Sequence, residues 1–432
     1  MLTEDQILAL APDESSKKSG KDLANLSKWV TRAFDETALW GECQGSGSKP
    51  YQTQIDLQNI AFKCSCPSRK FPCKHGLGLF LLFARNNASF SKADAPAWVS
   101  EWISKRSEKK EKEIEKKDKP VDEAAQAKRQ QARQSKVKEG VEELQVWIKD
   151  IVRNGLLGIP EKGTQWFENM ARRMVDAQAP GLANQIRTLA DINFYKEGWQ
   201  SLFLEQLVTL YLSSASFKHI DSLSPENVQD IRSLIGFTQS QEELKEQTGI
   251  TDTWLVLSKQ VSEVDNITTE RFWLYGTKSG NYALVLQFIV RGQGATLSLS
   301  SGMFIEAELV FYPSSVPLRA IIKRQLSSSS VSDFTCFENW LKVSEFETNL
   351  SVVLPVRGDR PYLVKQLKPV MFQNSWWLKD KDDFVMPIKN EHRIIWKLLS
   401  FGGGEAMDMA VIGKENSFEP VGIWHNQTYK TL

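Results

Sequence analysis

The chain has 432 residues, 41% hydrophobic and 25% charged, the proportions of an ordinary globular protein with two or three domains. A formal net charge of +1 excludes a chain-wide basic field, so any affinity for nucleic acid must come from a local patch. Five cysteines argue for a reducing cytosol, where Cys/His clusters bind metal. The chain reads as cytoplasmic and without a membrane span. Acids follow Met1-Leu2-Thr3 where a signal peptide would carry lysines, and the longest apolar run, Gly76 to Ala84, is too short for a bilayer.

In chain order, Leu2–Leu10 reads as a short helix and Pro12–Gly20 as a polar separator. Lys21–Phe34 places Leu23, Leu26, Val30 and Ala33 at helical spacing, which predicts a second helix. Ala38–Cys43 and Tyr51–Leu57 read as strands, the latter alternating Tyr51, Thr53, Ile55 and Leu57 against Gln52, Gln54 and Asp56. The segment Gly45-Ser46-Gly47-Ser48-Lys49-Pro50 is their hairpin loop. It lacks a P-loop pattern and is a plain turn.

The densest chemistry follows. Cys64 and Cys66, then Cys73 and His75, form two chelating pairs on either side of a Pro-bounded loop. Three thiolates and an imidazole suit tetrahedral zinc and leave no open position for water, so the site is structural. A disulfide and a cluster of buried thiols are the alternatives. Zinc binding contributes folding energy locally, because the ligands converge only when the loop is ordered.

Cys-x-Cys followed after a short loop by Cys-x-His resembles the SWIM zinc finger, matched completely at Cys64, Cys66, Cys73 and His75. The resemblance implies a ββα unit with structural Zn²⁺, acting as a nucleic-acid-binding or protein-interaction module. Trp40–Ser48, Ala177–Ala183, Tyr312-Pro313 and Pro317–Ala320 look like a bacterial group of SWIM proteins. That likeness implies, as partner, a MoxR-type AAA+ ATPase or a von Willebrand A-domain protein.

Between Leu57 and Ala93 there is no Asp or Glu, while Lys63, Arg69, Lys70, Lys74, Arg85 and Lys92 are all present. Arg69, Lys70 and Lys74 lie in or beside the finger loop and are the candidate contacts for DNA, RNA or an acidic protein surface, with Phe71 available for base stacking. The plainer reading is a solvated basic loop that offsets thiolate charge. After His75 the helix is apolar on nearly every face, so it is buried on several sides and the finger does not stand alone; Lys21–Phe34 and Ala95–Ile103, with its Trp98 and Trp102, cover the finger.

Ser104–Glu139 carries 13 Lys and Arg against 8 Asp and Glu and almost no large apolar residue. It reads as a charged linker, disordered or a fraying helix broken at Pro120. From Gly140 an amphipathic series resumes: Val141–Val152, Thr164–Val175, Pro180–Ala190, Gln200–Leu212, Ser224–Ile235 and Ser240–Gln247, a helical array without a fixed repeat. Arg172, Arg173 and Asp176 fit an exposed ion pair.

Beyond Thr251 the period switches to two. Trp254–Val261, Arg271–Tyr275, Tyr282–Val290, Thr296–Leu299 and Phe304–Tyr312 predict an antiparallel meander. Arg319–Leu326 and Val331–Leu341 read as helical, while Ser351–Pro355, Tyr362–Leu367, Val370–Phe372 and Trp376–Lys379 read as strands. Gly402-Gly403-Gly404 is a turn.

The expected fold is multidomain α+β. A ββα zinc-binding module fills 1–103, a charged linker 104–139, a helical array 140–250 and a β-rich α+β domain 251–432. No Walker, His-Glu-x-x-His or Gly-x-Ser-x-Gly pattern occurs, and His219, His392 and His425 stand apart from any nucleophile in the sequence. A non-enzymatic zinc-binding adaptor is the expectation. Its rival is an enzyme whose active site sits in a deep polar pocket of the C-terminal β-rich domain.

Overall fold

The structure, a computed structural model, describes residues 2–45, 49–58, 60–68, 70–115, 123–264, 267–290, 297–328, 334–389, 391–414, 417–425 and 428–432. The N-terminal part opens with α1 (Glu4–Ala9) and α2 (Glu14–Leu23). Strands β1 (Trp29–Phe34), β2 (Ala38–Cys43), β3 (Tyr51–Asp56) and β4 (Ala61–Cys64) follow, then α3 (Lys74–Arg85), the two-residue β5 (Ser91–Lys92) and α4 (Ala97–Glu115). The five strands form one sheet in the order β4-β3-β2-β1-β5.

The expected Lys21–Phe34 helix is corrected by this arrangement. Asp13 caps α2 by accepting from the Ser16 N–H, so the supposed polar separator is itself helical, and the helix stops at Leu23. The Asn25 side chain then turns the chain, and Trp29–Phe34 pairs antiparallel with β2. The apolar spacing was compatible with a helix, but the aromatic and β-branched Trp29-Val30-Thr31 run favours a strand once a neighbour is present to pair with it.

The sheet is covered on both faces. Leu39 and Ile55 join Ile7, Leu10, Leu77 and Leu81 in a core beneath α1 and α3. Ala38 and Trp40 face the other way and pack on Val99, Trp98 and Ile103 of α4. Ala95–Ile103 therefore covers the finger from the back of its sheet, and α2 takes the place expected of Lys21–Phe34 against α3. The crossing of α2 and α3 is close because glycines meet there: a Cβ at Gly78 would stand 2.7 Å from Leu23 Cβ, and one at Gly20 would stand 2.8 Å from Leu77 Cβ.

The charged stretch takes the helical alternative. α4 runs to Glu115 and α5 (Glu123–Asn154) starts before Gly140, with Val137 completely buried in the next core. Pro120 lies outside the described residues. α5, α6 (Gly163–Asp176), α7 (Pro180–Ala190), α8 (Trp199–Lys218) and α9 (Pro225–Ile235) pack around Leu144, Ile148, Phe167, Met174, Ile186 and Phe203, and α10 (Gln241–Glu246) leads out of the bundle.

Five further strands close into a barrel: β6 (Ile250–Val264), β7 (Ile267–Gly276), β8 (Tyr282–Val290), β9 (Phe304–Phe311) and β10 (Arg319–Ser328), in the order β10-β8-β7-β6-β9. The expected antiparallel meander is present in β6, β7 and β8, with β9 pairing back on β6, and Arg319–Leu326, read as a helix, is the strand that closes the set into a barrel. It runs parallel to β8 and antiparallel to β9. Residues 297–299 form no strand, and Thr296 lies outside the described residues.

The last layer holds α11 (Trp340–Val353), β11 (Arg360–Phe372), β12 (Ser375–Lys379), β13 (Val385–Pro387), α12 (Glu391–Gly402), β14 (Met407–Lys414), β15 (Ser417–His425) and β16 (Thr428–Thr431). The strands form a six-stranded sheet, β13-β12-β11-β14-β15-β16. Of the expected Val331–Leu341 helix, residues 331–333 lie outside the described residues and only the last two residues begin α11. Of Ser351–Pro355, read as a strand, residues 351–353 instead end α11 and Leu354 is its C-cap, while the Asn339 cap fixes the helix N-terminus. Barrel and sheet share a core in which Leu255, Leu257 and Trp273 meet Leu363, Ile412 and Val421.

The bundle is fastened to the barrel by one buried carboxylate. Asp230 of α9 accepts from Ser314 Oγ at 2.5 Å, Ser315 Oγ at 2.5 Å and Ser315 N–H at 2.9 Å, in the loop that joins β9 to β10. Asp230→Ala removes all three bonds and leaves a backbone donor unmet, so stability should fall by about 2–3 kcal/mol. Chemical denaturation measures this. An unchanged midpoint would mean that other contacts hold the loop.

Candidate metal centre

Two sequence-local devices bring the ligands together. β4 pairs with β3 and ends at Cys64, so Cys64 closes the edge strand and Cys66 follows in the bend just beyond it. Cys73 is the N-cap of α3, and His75 lies in the first turn, so the second pair projects from the start of the helix. One ligand atom from each of Cys64, Cys66, Cys73 and His75 lies within 4.8 Å of every other, and no other His, Cys or acidic residue joins the group among the described residues.

The surroundings suit anionic sulfur. Thr53 Oγ1 lies 3.2 Å from Cys64 Sγ, and backbone N–H groups of Cys66, Ser68 and Gly76 point at the sulfurs of Cys64, Cys66 and Cys73 in turn. The start of α3 adds a favourable dipole for the Cys73 thiolate. The hydrogen bond from Cys73 holds Cys64 down at about 4, while the same bond, with burial, pushes Cys73 far above the ordinary thiol range. Burial raises Cys66 as well. Crowded sulfurs therefore share protons, and a dication at their centre replaces those protons and lets all three ionise. His75 is buried with its ring against Tyr51, centroids 4.9 Å apart, and its Nδ1 is 3.8 Å from Cys64 Sγ. Phe62 sits so close to the helix that a Cβ at Gly76 would stand 2.9 Å from its ring.

These four residues are positioned to coordinate zinc. The donor set fits a closed tetrahedral ion, and the ligand spread matches sulfurs and nitrogen about 3–4 Å apart around one centre. The remaining cysteines stand apart from it. Cys43 is buried beneath the sheet, with burial raising it to about 11, and burial raises Cys336 to about 12.

The three candidate contact residues do not form one free cationic surface. Lys70 is ion-paired with Asp13 at 2.6 Å, and Arg69 lies outside the described residues. Lys74 is exposed between two ligands. Two other cations of the acid-free window are met by acids from outside it, Arg85 by Glu4 at 2.7 Å and Lys92 by Glu36 at 3.8 Å. Among the described residues Lys63 and Lys74 form no ion pair. A one-dimensional charge count missed this, because Glu4, Asp13 and Glu36 reach the finger only through the folding of α1, α2 and the β1–β2 turn. The ion pair expected of Arg172 and Arg173 with Asp176 is also replaced: Arg172 pairs with Glu168 and Arg173 with Glu143.

Residues 51–83 match the SWIM zinc finger family and residues 132–235 the SWIM-associated four-helix bundle domain. The chain therefore carries a SWIM-type zinc finger, followed by the four-helix bundle domain associated with that finger. Comparison with curated proteins and with solved structures gave no match. No helix among the described residues is long and apolar enough to cross a membrane.

Cys64→Ser or Cys73→Ser should abolish stoichiometric zinc and expose α3 to protease, whereas Cys43→Ser should retain the metal. Metal analysis with limited proteolysis checks both. Thiol alkylation gives an independent reading. In the zinc-loaded folded protein near neutral pH, Cys43 and Cys336 are neutral thiols and should be modified slowly. Their rates should rise on the order of tenfold per pH unit below their pKa values, since the thiolate is the nucleophile. Mass spectrometry should then find three additional modified cysteines after chelation of the metal.

Proposed function

We propose that the protein is a non-enzymatic zinc-binding adaptor that engages another protein through its helical bundle, with the zinc finger as the rigid unit beside it. The observation that carries this reading is the outer face of α8. Phe203, Leu207, Leu210 and Phe217 are buried in the bundle, yet Leu204, Val208, Tyr211 and Leu212 on the opposite side are 42, 52, 39 and 42% exposed. A helix that is apolar on two opposed faces needs two partners, and the bundle supplies one. An exposed apolar stripe with a tyrosine in it is the composition of a protein-binding patch.

The finger supports this as scaffold: its metal has a full set of protein ligands and no place for a substrate. The cleft between the barrel and the six-stranded sheet has neither histidine nor carboxylate in its lining, which favours binding over acid–base catalysis. A MoxR-type AAA+ ATPase or a von Willebrand A-domain protein, the partner implied by the resemblance, is the first to test. Combined Leu204→Ser, Val208→Ser and Tyr211→Ser substitution should preserve fold and zinc and weaken that complex by on the order of a hundredfold. Affinity capture and calorimetry measure it. Full retention of binding removes α8 as the docking face.

A second reading keeps nucleic acid as the ligand of the finger. It is favoured by the exposed Lys63 and Lys74 and by Phe71, half-exposed next to Pro72. Arg69→Ala, Lys70→Ala and Lys74→Ala together spare every zinc ligand. If phosphates are bound there, titration of single- and double-stranded oligonucleotides should show the salt slope falling by about one for each phosphate no longer neutralised. Equal binding by the variant excludes it.

A further inference from the structure

Between the barrel and the six-stranded sheet lies a cleft of about 710 Å³, within the size range of small-molecule sites. Five aromatic rings line it, Tyr275 and Tyr282 from the barrel, Phe311 from the end of β9, and Phe337 and Phe346 from the other side, and the polar hairpin after β7 adds Lys278. Arg360, the first residue of β11, also lines it. This guanidinium is only 7% exposed, its Nε has no hydrogen-bond partner, and its Nη2 makes one long bond, 3.4 Å to Pro317 O.

The ionisable neighbours do not neutralise it. Glu347 attracts Arg360 but is held by Arg357, through Nη1 at 3.1 Å and Nη2 at 2.6 Å, and by the Tyr362 hydroxyl. Arg357 repels Arg360, and Tyr282, which also faces it, has its hydroxyl pushed upward by burial and so stays neutral. Two guanidinium groups therefore share one carboxylate, leaving one positive charge in excess. Burial brings Arg360 down to about 10, so it remains charged at neutral pH. A buried, incompletely paired cation is costly unless something completes it.

We propose that this cleft binds a small organic monoanion, a carboxylate carried on an aromatic or other apolar body, with the carboxylate on Arg360 and the body among the rings. Arg360 is the buried cation of the lining, the other, Lys278, being exposed to water at the mouth, so the one buried excess charge matches a carboxylate better than a phosphate dianion. The hairpin at the cleft mouth offers no anion nest, because Asp252 already accepts from the Lys278 and Ser279 N–H groups at 3.1 and 2.8 Å. Cys336 in the wall is a buried neutral thiol, so the cleft holds its ligand without attacking it.

Calorimetric and thermal-shift titrations of the full zinc-loaded chain test this with 3-phenylpropionate, indole-3-acetate and benzoate. 3-Phenylpropanol serves as the uncharged counterpart and phenyl phosphate as the dianion. At least one carboxylate should bind saturably below about 5 mM. It should bind tighter than 3-phenylpropanol by on the order of tenfold or more, because the alcohol leaves Arg360 unmet. Arg360→Met should lose that preference, and Arg360→Lys should recover part of it without the planar fork. No saturable binding by any of the three acids, equal binding of the alcohol, tighter binding of phenyl phosphate, or an undiminished preference in Arg360→Met overturns the proposal. The acid–alcohol comparison uses the unaltered protein, so it decides the matter even if the variants do not fold.

Discussion

Four ligand atoms must reach one point, and everything in the N-terminal part is arranged so that they can. The first pair is set by the end of β4 and the second by the first turn of α3, so their separation depends on how α3 lies against the sheet. That docking rests on the apolar helix body from Leu77 to Phe83 and on the glycine crossing with α2. Metal and core are therefore coupled: the sulfurs repel or share protons without a cation, and the cation finds four ligands only where the core has placed α3.

Charge follows the same architecture. The finger is basic as a segment, yet α1, α2 and the β1–β2 turn deliver Glu4, Asp13 and Glu36 to three of its cations. Exposed pairs of this kind contribute little stability. Their consequence is that the loop's lysines are not all available at once, which shifts weight from phosphate binding toward the apolar face of α8.

The C-terminal half combines a barrel and a sheet that meet through a shared core, and the bundle is tied to the barrel by Asp230. The aromatic abundance there serves two purposes. Trp254, Trp273 and Trp340 are buried in the core. Tyr275, Tyr282 and Phe311 instead line a cleft in which a buried arginine retains unmet hydrogen-bonding capacity.

Read alone, the sequence determined what is local. The ligand set Cys64, Cys66, Cys73 and His75 was legible because metal-ligand spacing within one short loop is a local property. The helices from α6 to α9 were legible because a 3.6-residue period and caps such as Ser224 act within a few turns. Tertiary structure decided the rest. Trp29–Phe34 and Arg319–Leu326 became strands because a neighbouring edge stood ready to pair with them, and no periodicity in the segment itself reports that edge. The pairing of Lys70 with Asp13 and the half-met state of Arg360 were decided the same way. Each depends on groups far away in sequence, and only the closed fold sets the distance between them.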